Sequence, residues 1–242
     1  MQSHIISFRF LICACALCAI VSCGSGEGVL TIVTTPVPGK VQVDGNPVGE
    51  TPVTLTMEAG VYSISFSPYS DQYIPPEPRS VKIESGTTLT VAGEYQNRFI
   101  PSDPPRGFSP ADSLRVYGTT ERKLKDGTIF DYIDGGGLVY LRYGLVETTH
   151  SVYRDDEGSE IMVDIFVMGT LSNAEAAFND EEICPSGYTL CDLGAGCKSY
   201  AYEPDFLIYF HKSRYLVLLS TTNDLLKKTV VSYAEHIESS IP

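Results

Sequence analysis

The sequence contains no tryptophan and is poor in basic residues, with 17 Lys and Arg against 30 Asp and Glu. A net charge of −13 repels phosphate backbones, and no cluster of Lys and Arg offsets this repulsion. We therefore expect no nucleic-acid partner. The same acidic surface is unsuited to electrostatic adhesion to anionic lipids.

Familiar catalytic motifs are absent as well. The sequence has no His-Glu-x-x-His pair, no Gly-x-Ser-x-Gly elbow and no EF-hand spacing. His150, His211 and His236 are scattered over predicted strands and a helix. We therefore expect a non-enzymatic protein with no cofactor and no bound metal, although tertiary contacts could still assemble a nucleophile and a base.

No apolar run reaches the roughly 20 residues that a transmembrane helix needs. The longest, Phe10 to Val21, follows Arg9 and ends at Ser22 and Cys23, which is typical of a secretory signal peptide over residues 1–22. Cleavage there removes one basic residue and no acid, so the mature chain carries a charge of −14.

The letters IVSC at Ile20 to Cys23 resemble the lipobox of bacterial lipoproteins. The resemblance implies that Cys23 carries a diacylglyceryl group, so the acyl chains would hold the protein at a membrane surface. Cys18 is a weaker rival cleavage point, and a plain signal peptide is the alternative. By analogy with enterobacterial sorting, Gly24 favours the outer over the inner membrane in a Gram-negative cell, and we expect a cell-envelope location.

The 15 Tyr, 21 Gly and 15 Pro favour strands and turns over a helical bundle. Two domains are expected. Residues 28–97 are predicted as a small all-β sandwich, residues 98–111 as a Pro-rich, semi-rigid linker, and residues 112–241 as an α+β domain on an antiparallel sheet.

Alternation of apolar and polar residues supports the sandwich. It recurs in short runs separated by turn residues such as Asp44-Gly45, a pair suited to a tight hairpin. The predicted inward-facing residues are Val41, Val43, Val53, Leu55, Met57, Tyr62, Ile64 and Phe66.

This order of elements resembles a PEGA domain, a small β-sandwich of bacterial and archaeal envelope proteins. The matching elements are Val41 to Gly45, Gly49 to Pro52 and Gly60 to Tyr62. Pro38-Gly39-Lys40 stands near the place of the tetrapeptide that names the family, which is not intact here. The resemblance implies a binding or spacing module and supplies no catalytic residue.

The second domain begins with a predicted helix that is interrupted at Gly135 to Gly137 and followed by a second short helix. Two strands are predicted about the acidic turn Asp155 to Gly158. An amphipathic helix closes the chain, with an apolar face of Leu225, Val230, Tyr233, Ala234 and Ile237.

Part of this domain resembles a bacterial family of unknown function, the DUF6599 group. The resemblance rests on Tyr132 to Gly136 and Tyr140 to Gly144. It implies a fold and no chemistry.

A polar site is conceivable at Asp131 and Asp134, three residues apart beside the glycines. The two carboxylates could hold a cation, or the glycine amides an anion. The alternative is a helix start with acidic residues near its positive end.

Cys184, Cys191 and Cys197 are the thiols of the mature chain besides Cys23, and their spacing matches neither a zinc nor a haem motif. In an oxidising envelope we expect one disulfide, preferably Cys184 with Cys191, with the other pairings open.

Two functions are therefore compatible with the sequence. The first is a lipid-anchored, non-enzymatic module that binds a surface protein or glycan. The second is a small-ligand-binding or hydrolytic domain displayed on a β spacer. A cavity where Asp131, Asp134 or a histidine meets other polar groups would favour the second.

Overall fold

The computed structural model describes residues 26–101 and 103–242. The predicted signal peptide and Cys23 lie outside these residues. No helix within the described ranges is long and apolar enough to cross a membrane.

The first part of the chain is built of nine strands arranged in two main sheets and one short ribbon. One sheet has the order β4-β1-β8, the other has the order β3-β2-β5-β7, and β6 pairs with β9. The strands are β1 (Glu27–Thr35), β2 (Lys40–Val43), β3 (Asn46–Glu50), β4 (Val53–Glu58), β5 (Gly60–Phe66), β6 (Tyr73–Ile74), β7 (Arg79–Ile83), β8 (Thr88–Glu94) and β9 (Gln96–Asn97).

The two main sheets share one apolar core, as the alternating sequence predicts. Val41, Ile64 and Phe66 are buried, and the side chains of β4 alternate between half-buried and exposed. Asp44 and Gly45 both have positive φ in the β2–β3 turn, and the Asp44 carboxylate accepts a 2.7 Å hydrogen bond from the backbone N–H of Ser63. The all-β prediction for this part is confirmed.

The segment predicted as a linker is packed onto the rest of the chain. Phe99 is fully buried and its ring meets Tyr215 edge to face at 4.8 Å. A short strand, β10 (Phe108–Pro110), pairs with the long strand of the second part that contains Tyr153. Phe99 and β10 are therefore packed against the second part, and the interpretation of residues 98–111 as a semi-rigid linker stays a prediction.

The second part is an antiparallel sheet of eight strands with helices on both faces, as predicted for an α+β fold. Its order is β10-β12-β13-β17-β16-β15-β14, and β11 also pairs with β12. The further strands are β11 (Arg115–Tyr117), β12 (Leu145–Asp155), β13 (Glu160–Met168), β14 (Thr189–Leu190), β15 (Gly196–Tyr202), β16 (Asp205–Lys212) and β17 (Tyr215–Thr221). The helices are α1 (Ile129–Ile133), α2 (Gly137–Arg142), α3 (Leu171–Phe178) and α4 (Lys227–Ser240).

The helix pair at the glycines forms as predicted. A short 3-10 turn, Asp134–Gly136, separates α1 from α2. Gly137 permits a close approach, because a Cβ there would lie 2.9 Å from the side chain of Ile129. The break folds α2 back over the same face of the sheet.

Each face of the large sheet has its own apolar cluster. Helix α4 covers one face with Val230, Tyr233, Ala234 and Ile237. Leu225 was predicted on this face but is 86% exposed, because the chain enters α4 through a 3-10 turn that directs it to solvent. Helices α1, α2 and α3 cover the opposite face.

The two parts share a packed junction. Val116 and Leu124 of the second part belong to the core of the first. Arg214 donates a 2.8 Å hydrogen bond to the carboxylate of Asp71 across the junction. A division into two independent domains near residue 97 therefore remains a prediction.

Candidate functional site

Three polar side chains meet on the sheet face that α1 and α2 cover. The Tyr132 hydroxyl donates a 2.6 Å hydrogen bond to Oδ1 of Asp164, and Nδ1 of His150 lies 2.7 Å from the same oxygen. The Tyr132 hydroxyl and His150 Nδ1 are themselves 2.9 Å apart. Asp164 is 4% exposed and His150 8% exposed, so the cluster is almost shielded from water.

The strand register brings the cluster together. His150 of β12 lies directly opposite Asp164 of β13, so their side chains leave the same face of the sheet. Tyr132 comes from α1, and its ring stacks on Tyr117 of β11 at 5.0 Å between centroids. The hairpin and the helix together fix the geometry of all three side chains.

A cavity of about 310 Å³ adjoins this cluster. Both hydrogen bonds of Asp164 go to Oδ1, and Oδ2, which is not fully buried, opens to the cavity. The cavity is lined by Tyr132, Ile133, Gly136, Val139, Tyr140, Asp164, Phe166, Glu182, Ile183, Tyr209 and Leu218.

The walls of the cavity are mainly aromatic. Tyr140 stacks on Phe166 with 4.2 Å between ring centroids. Burial raises the pKa of Tyr132, Tyr140 and Tyr209 well above the ordinary tyrosine value. These hydroxyls are therefore neutral at physiological pH and can donate hydrogen bonds.

The mouth of the cavity is held by contacts between α2 and the loop after α3. Tyr143 donates a 2.6 Å hydrogen bond to the Asp180 carboxylate, and Arg142 forms an ion pair with Glu182. Ile183 and Cys184 of the same loop are buried. These contacts tie the α1–α2 pair over the sheet.

The predicted residues Asp131 and Asp134 do not line this cavity. The Asp131 carboxylate accepts a 2.8 Å hydrogen bond from the backbone N–H of Thr128 and caps α1, and this bond lowers the pKa of Asp131. Asp134 ends α1 at a positive φ of 49° and is exposed. The structure gives both residues roles in the helix ends.

The preferred cysteine pairing is wrong. The structure joins Cys191 to Cys197, with 5.0 Å between their Cα atoms, and leaves Cys184 free and buried. The physical reason is the β14–β15 hairpin, in which the backbone N–H of Cys191 donates to the carbonyl of Cys197. Cys184 instead faces the core beside α3, where burial raises its pKa to about 12.

Larger clefts lie elsewhere among the described residues, and one of them, of about 340 Å³, lies beside Asn97 and Asp103. One of about 470 Å³ lies at the junction near Tyr95 and Tyr153, and one of about 520 Å³ lies between Pro104 and α4. The carboxylates that line them, Glu94, Asp112 and Asp103, are exposed. We place the candidate site at Asp164 because its almost fully buried carboxylate is oriented by two hydrogen bonds and lines a cavity.

The sequence contained a signal for this site that motif searching misses. In a hairpin centred on Glu157, residues 150 and 164 stand equally far from the turn and so pair across it. Neither His150 nor Asp164 belongs to a catalytic motif, so the register of the hairpin is the signal in the sequence that pairs them. Among the residues that the structure describes, no group of three or more His, Cys, Asp or Glu side chains could hold a metal ion.

Comparisons with known proteins bear on the first part of the chain. No curated protein matches. A solved structure, the Bacillus anthracis TIE protein, is similar at 11% identity and a TM-score of 0.23 over 69% of this chain and 30% of that one, a level that carries no information on fold or function. The model of the PEGA domain family matches residues 27–93, so this is a PEGA domain-containing chain.

Proposed function

We propose that the protein is a lipid-anchored cell-envelope protein that binds a small ligand, or the end of a glycan, in the cavity at Asp164 without transforming it. The observation that carries this proposal is the buried Asp164 carboxylate. One of its oxygens is held by Tyr132 and His150, and the other opens to the cavity, where a ligand can reach it. An aromatic cavity with one oriented polar group is typical of small-ligand sites.

The envelope location rests on the signal peptide and lipobox resemblances, with the outer membrane favoured in a Gram-negative cell. Two findings support it. The PEGA match agrees with envelope proteins, and the Cys191–Cys197 disulfide is of a kind that persists in oxidising compartments.

The lipid position sets where the first part would lie. Strand β1 begins at Glu27, four positions after Cys23, and such a segment reaches at most roughly 14 Å when fully extended. The PEGA domain would therefore lie close to the membrane. Its packed junction with the second part would then hold the cavity at a fixed orientation to the surface.

Copurification tests the binding proposal. The full mature chain, isolated from its own cells by crosslinking and affinity capture, is denatured and the released small molecules and glycans are identified by mass spectrometry. Val139→Phe places a ring in the cavity from α2, whereas Val146→Phe adds the same ring at an exposed position. A ligand lost only from Val139→Phe supports the proposal, and equal recovery from both variants contradicts it.

Hydrolysis is a second candidate because of one observation. Nδ1 of His150 contacts a carboxylate, which is the arrangement that orients a histidine to act as a base through Nε2. A captured ligand recovered intact after prolonged incubation with the protein favours binding alone. Products that fail to form with His150→Gln would favour hydrolysis.

A further inference from the structure

We propose that the cavity at Asp164 binds a small organic ammonium ion, with Oδ2 of Asp164 as the counter-ion and aromatic rings as the walls. This inference rests on the proposed function, because it names the ligand class of the same cavity. The ammonium group could belong to a free amine or to the headgroup of a lipid.

The lining of the cavity is negatively charged. The charged side chains that line the cavity are Asp164 and Glu182, and both are acidic. Glu182 is exposed at the mouth and already forms an ion pair with Arg142. The charge that remains for a ligand is therefore the buried Asp164 carboxylate.

One oxygen of that carboxylate is available to a ligand. A buried carboxylate is stable when its oxygens are hydrogen-bonded or paired with a cation. Tyr132 and His150 hold Oδ1, whereas Oδ2 has no hydrogen bond from a described residue, is not fully buried and opens to the cavity. A ligand that brings a positive charge can pair with this oxygen in place of water.

The aromatic walls of the cavity also favour a cation. Aromatic faces carry negative electrostatic potential and attract ammonium groups, most strongly where water is excluded. Four rings line this cavity, those of Tyr132, Tyr140, Phe166 and Tyr209. Carboxylate and rings together favour a cation over a neutral ligand of the same shape.

The size of the cavity limits the ligand. A volume of about 310 Å³ lies at the lower end of the range for small-molecule sites. It accommodates an ammonium headgroup with a short chain, so specificity would come from the charge and not from a large contact area.

Calorimetric titration of the full mature chain in maltoside micelles tests the inference. The probes are choline, tetramethylammonium and ethanolamine, with the neutral isostere of choline, in which a tert-butyl group replaces trimethylammonium, as a matched control. We expect at least one ammonium probe to bind and the isostere to bind about tenfold more weakly or not at all. Asp164→Asn should weaken binding by about tenfold or more, whereas Asp205→Asn, an exposed carboxylate on β16, should leave it unchanged.

Glycerophosphocholine, used as a further probe, distinguishes a lipid headgroup from a free amine as the source of the ammonium group. Its binding alongside choline assigns a lipid headgroup, and its exclusion assigns a free amine. Failure of every ammonium probe, or equal binding of the neutral isostere, overturns the inference even if Asp164→Asn proves too unstable to test. A different ligand class recovered by copurification would overturn the inference while leaving the proposed function intact.

Discussion

The side-chain amide of Gln72 donates a 2.9 Å hydrogen bond to the hydroxyl of Thr149, 77 positions away in sequence. Both residues are fully buried, and the Tyr73 hydroxyl lies 3.2 Å from the same oxygen. The first residue belongs to the part matched by the PEGA family and the second to strand β12. The junction between the two parts is therefore a buried polar contact as well as an apolar one.

Thr149→Val should destabilise the whole chain. The substitution keeps the shape of the side chain but leaves the Gln72 amide without an acceptor, which costs about 1–3 kcal/mol in a buried site. Urea unfolding followed by circular dichroism measures the effect. Thr31→Val is the control, because its hydroxyl pairs with Thr54 at an exposed position and its loss should cost less than about 0.5 kcal/mol. Equal midpoints for the two variants would contradict the prediction.

Glu147 makes the same junction sensitive to pH. The residue is 2% exposed, and burial raises the pKa of its carboxyl to about 7, against opposing effects of Tyr69, Arg122 and Arg214. The folded chain thus binds this proton more tightly than the unfolded chain. Its contribution to stability is largest below the unfolded pKa of 4.5 and falls as pH rises through about 7.

Glu147→Gln should remove that pH dependence. The shifted pKa predicts that the free energy of unfolding of the wild-type chain falls by roughly 2–3 kcal/mol through this residue between about pH 5 and about pH 8. The amide of the variant does not titrate, so its stability lacks this contribution. Unfolding midpoints of the two proteins at both pH values give the difference. Glu235→Gln, an exposed residue of α4, should keep the wild-type dependence. Parallel profiles for wild type and Glu147→Gln would refute the assignment.

Local patterns predicted the strands well, since the Asp44-Gly45 turn in the first part and the turn at Asp155 to Gly158 both correspond to observed hairpins. They failed at the middle of β12. Residues 147–151 read as a polar strand segment, yet all five are buried. Gln72 and Tyr73 cover one face and Tyr132 the other, so the burial depends on tertiary contacts that no local pattern contains.

Part of the candidate site can be predicted from the sequence. Hairpin register alone would have paired His150 with Asp164. Which helix covers that pair, and hence the contact with Tyr132, depends on how α1 and α2 fold back at Gly137. The spacing of Asp131 and Asp134 suggests a carboxylate pair, but short-range hydrogen bonds and helix termination explain their placement.

Cys23→Ala should release the protein from the membrane. Without a sulfur at that position no diacylglyceryl group can be attached, and the acidic chain has no charge-based affinity for anionic lipid. Membrane fractionation, with mass spectrometry of the N-terminal peptide, measures both outcomes. Cys18→Ala tests the rival cleavage point and should leave the chain membrane-bound. A Cys23→Ala protein that stays in the membrane fraction would exclude lipidation at Cys23 as the anchor.

Thiol labelling should distinguish the three cysteines of the second part. Cys184 is 1% exposed and burial raises its pKa to about 12, so the native chain should not react with a maleimide. After denaturation without reductant, the lipidated chain should label at Cys184 alone. Cys184→Ala should then abolish labelling, whereas Cys191→Ala should add Cys197 as a second labelled site and destabilise the chain by about 2 kcal/mol through loss of the small disulfide loop. Detection of a disulfide between the peptides that contain Cys184 and Cys191 after proteolysis would contradict the observed pairing.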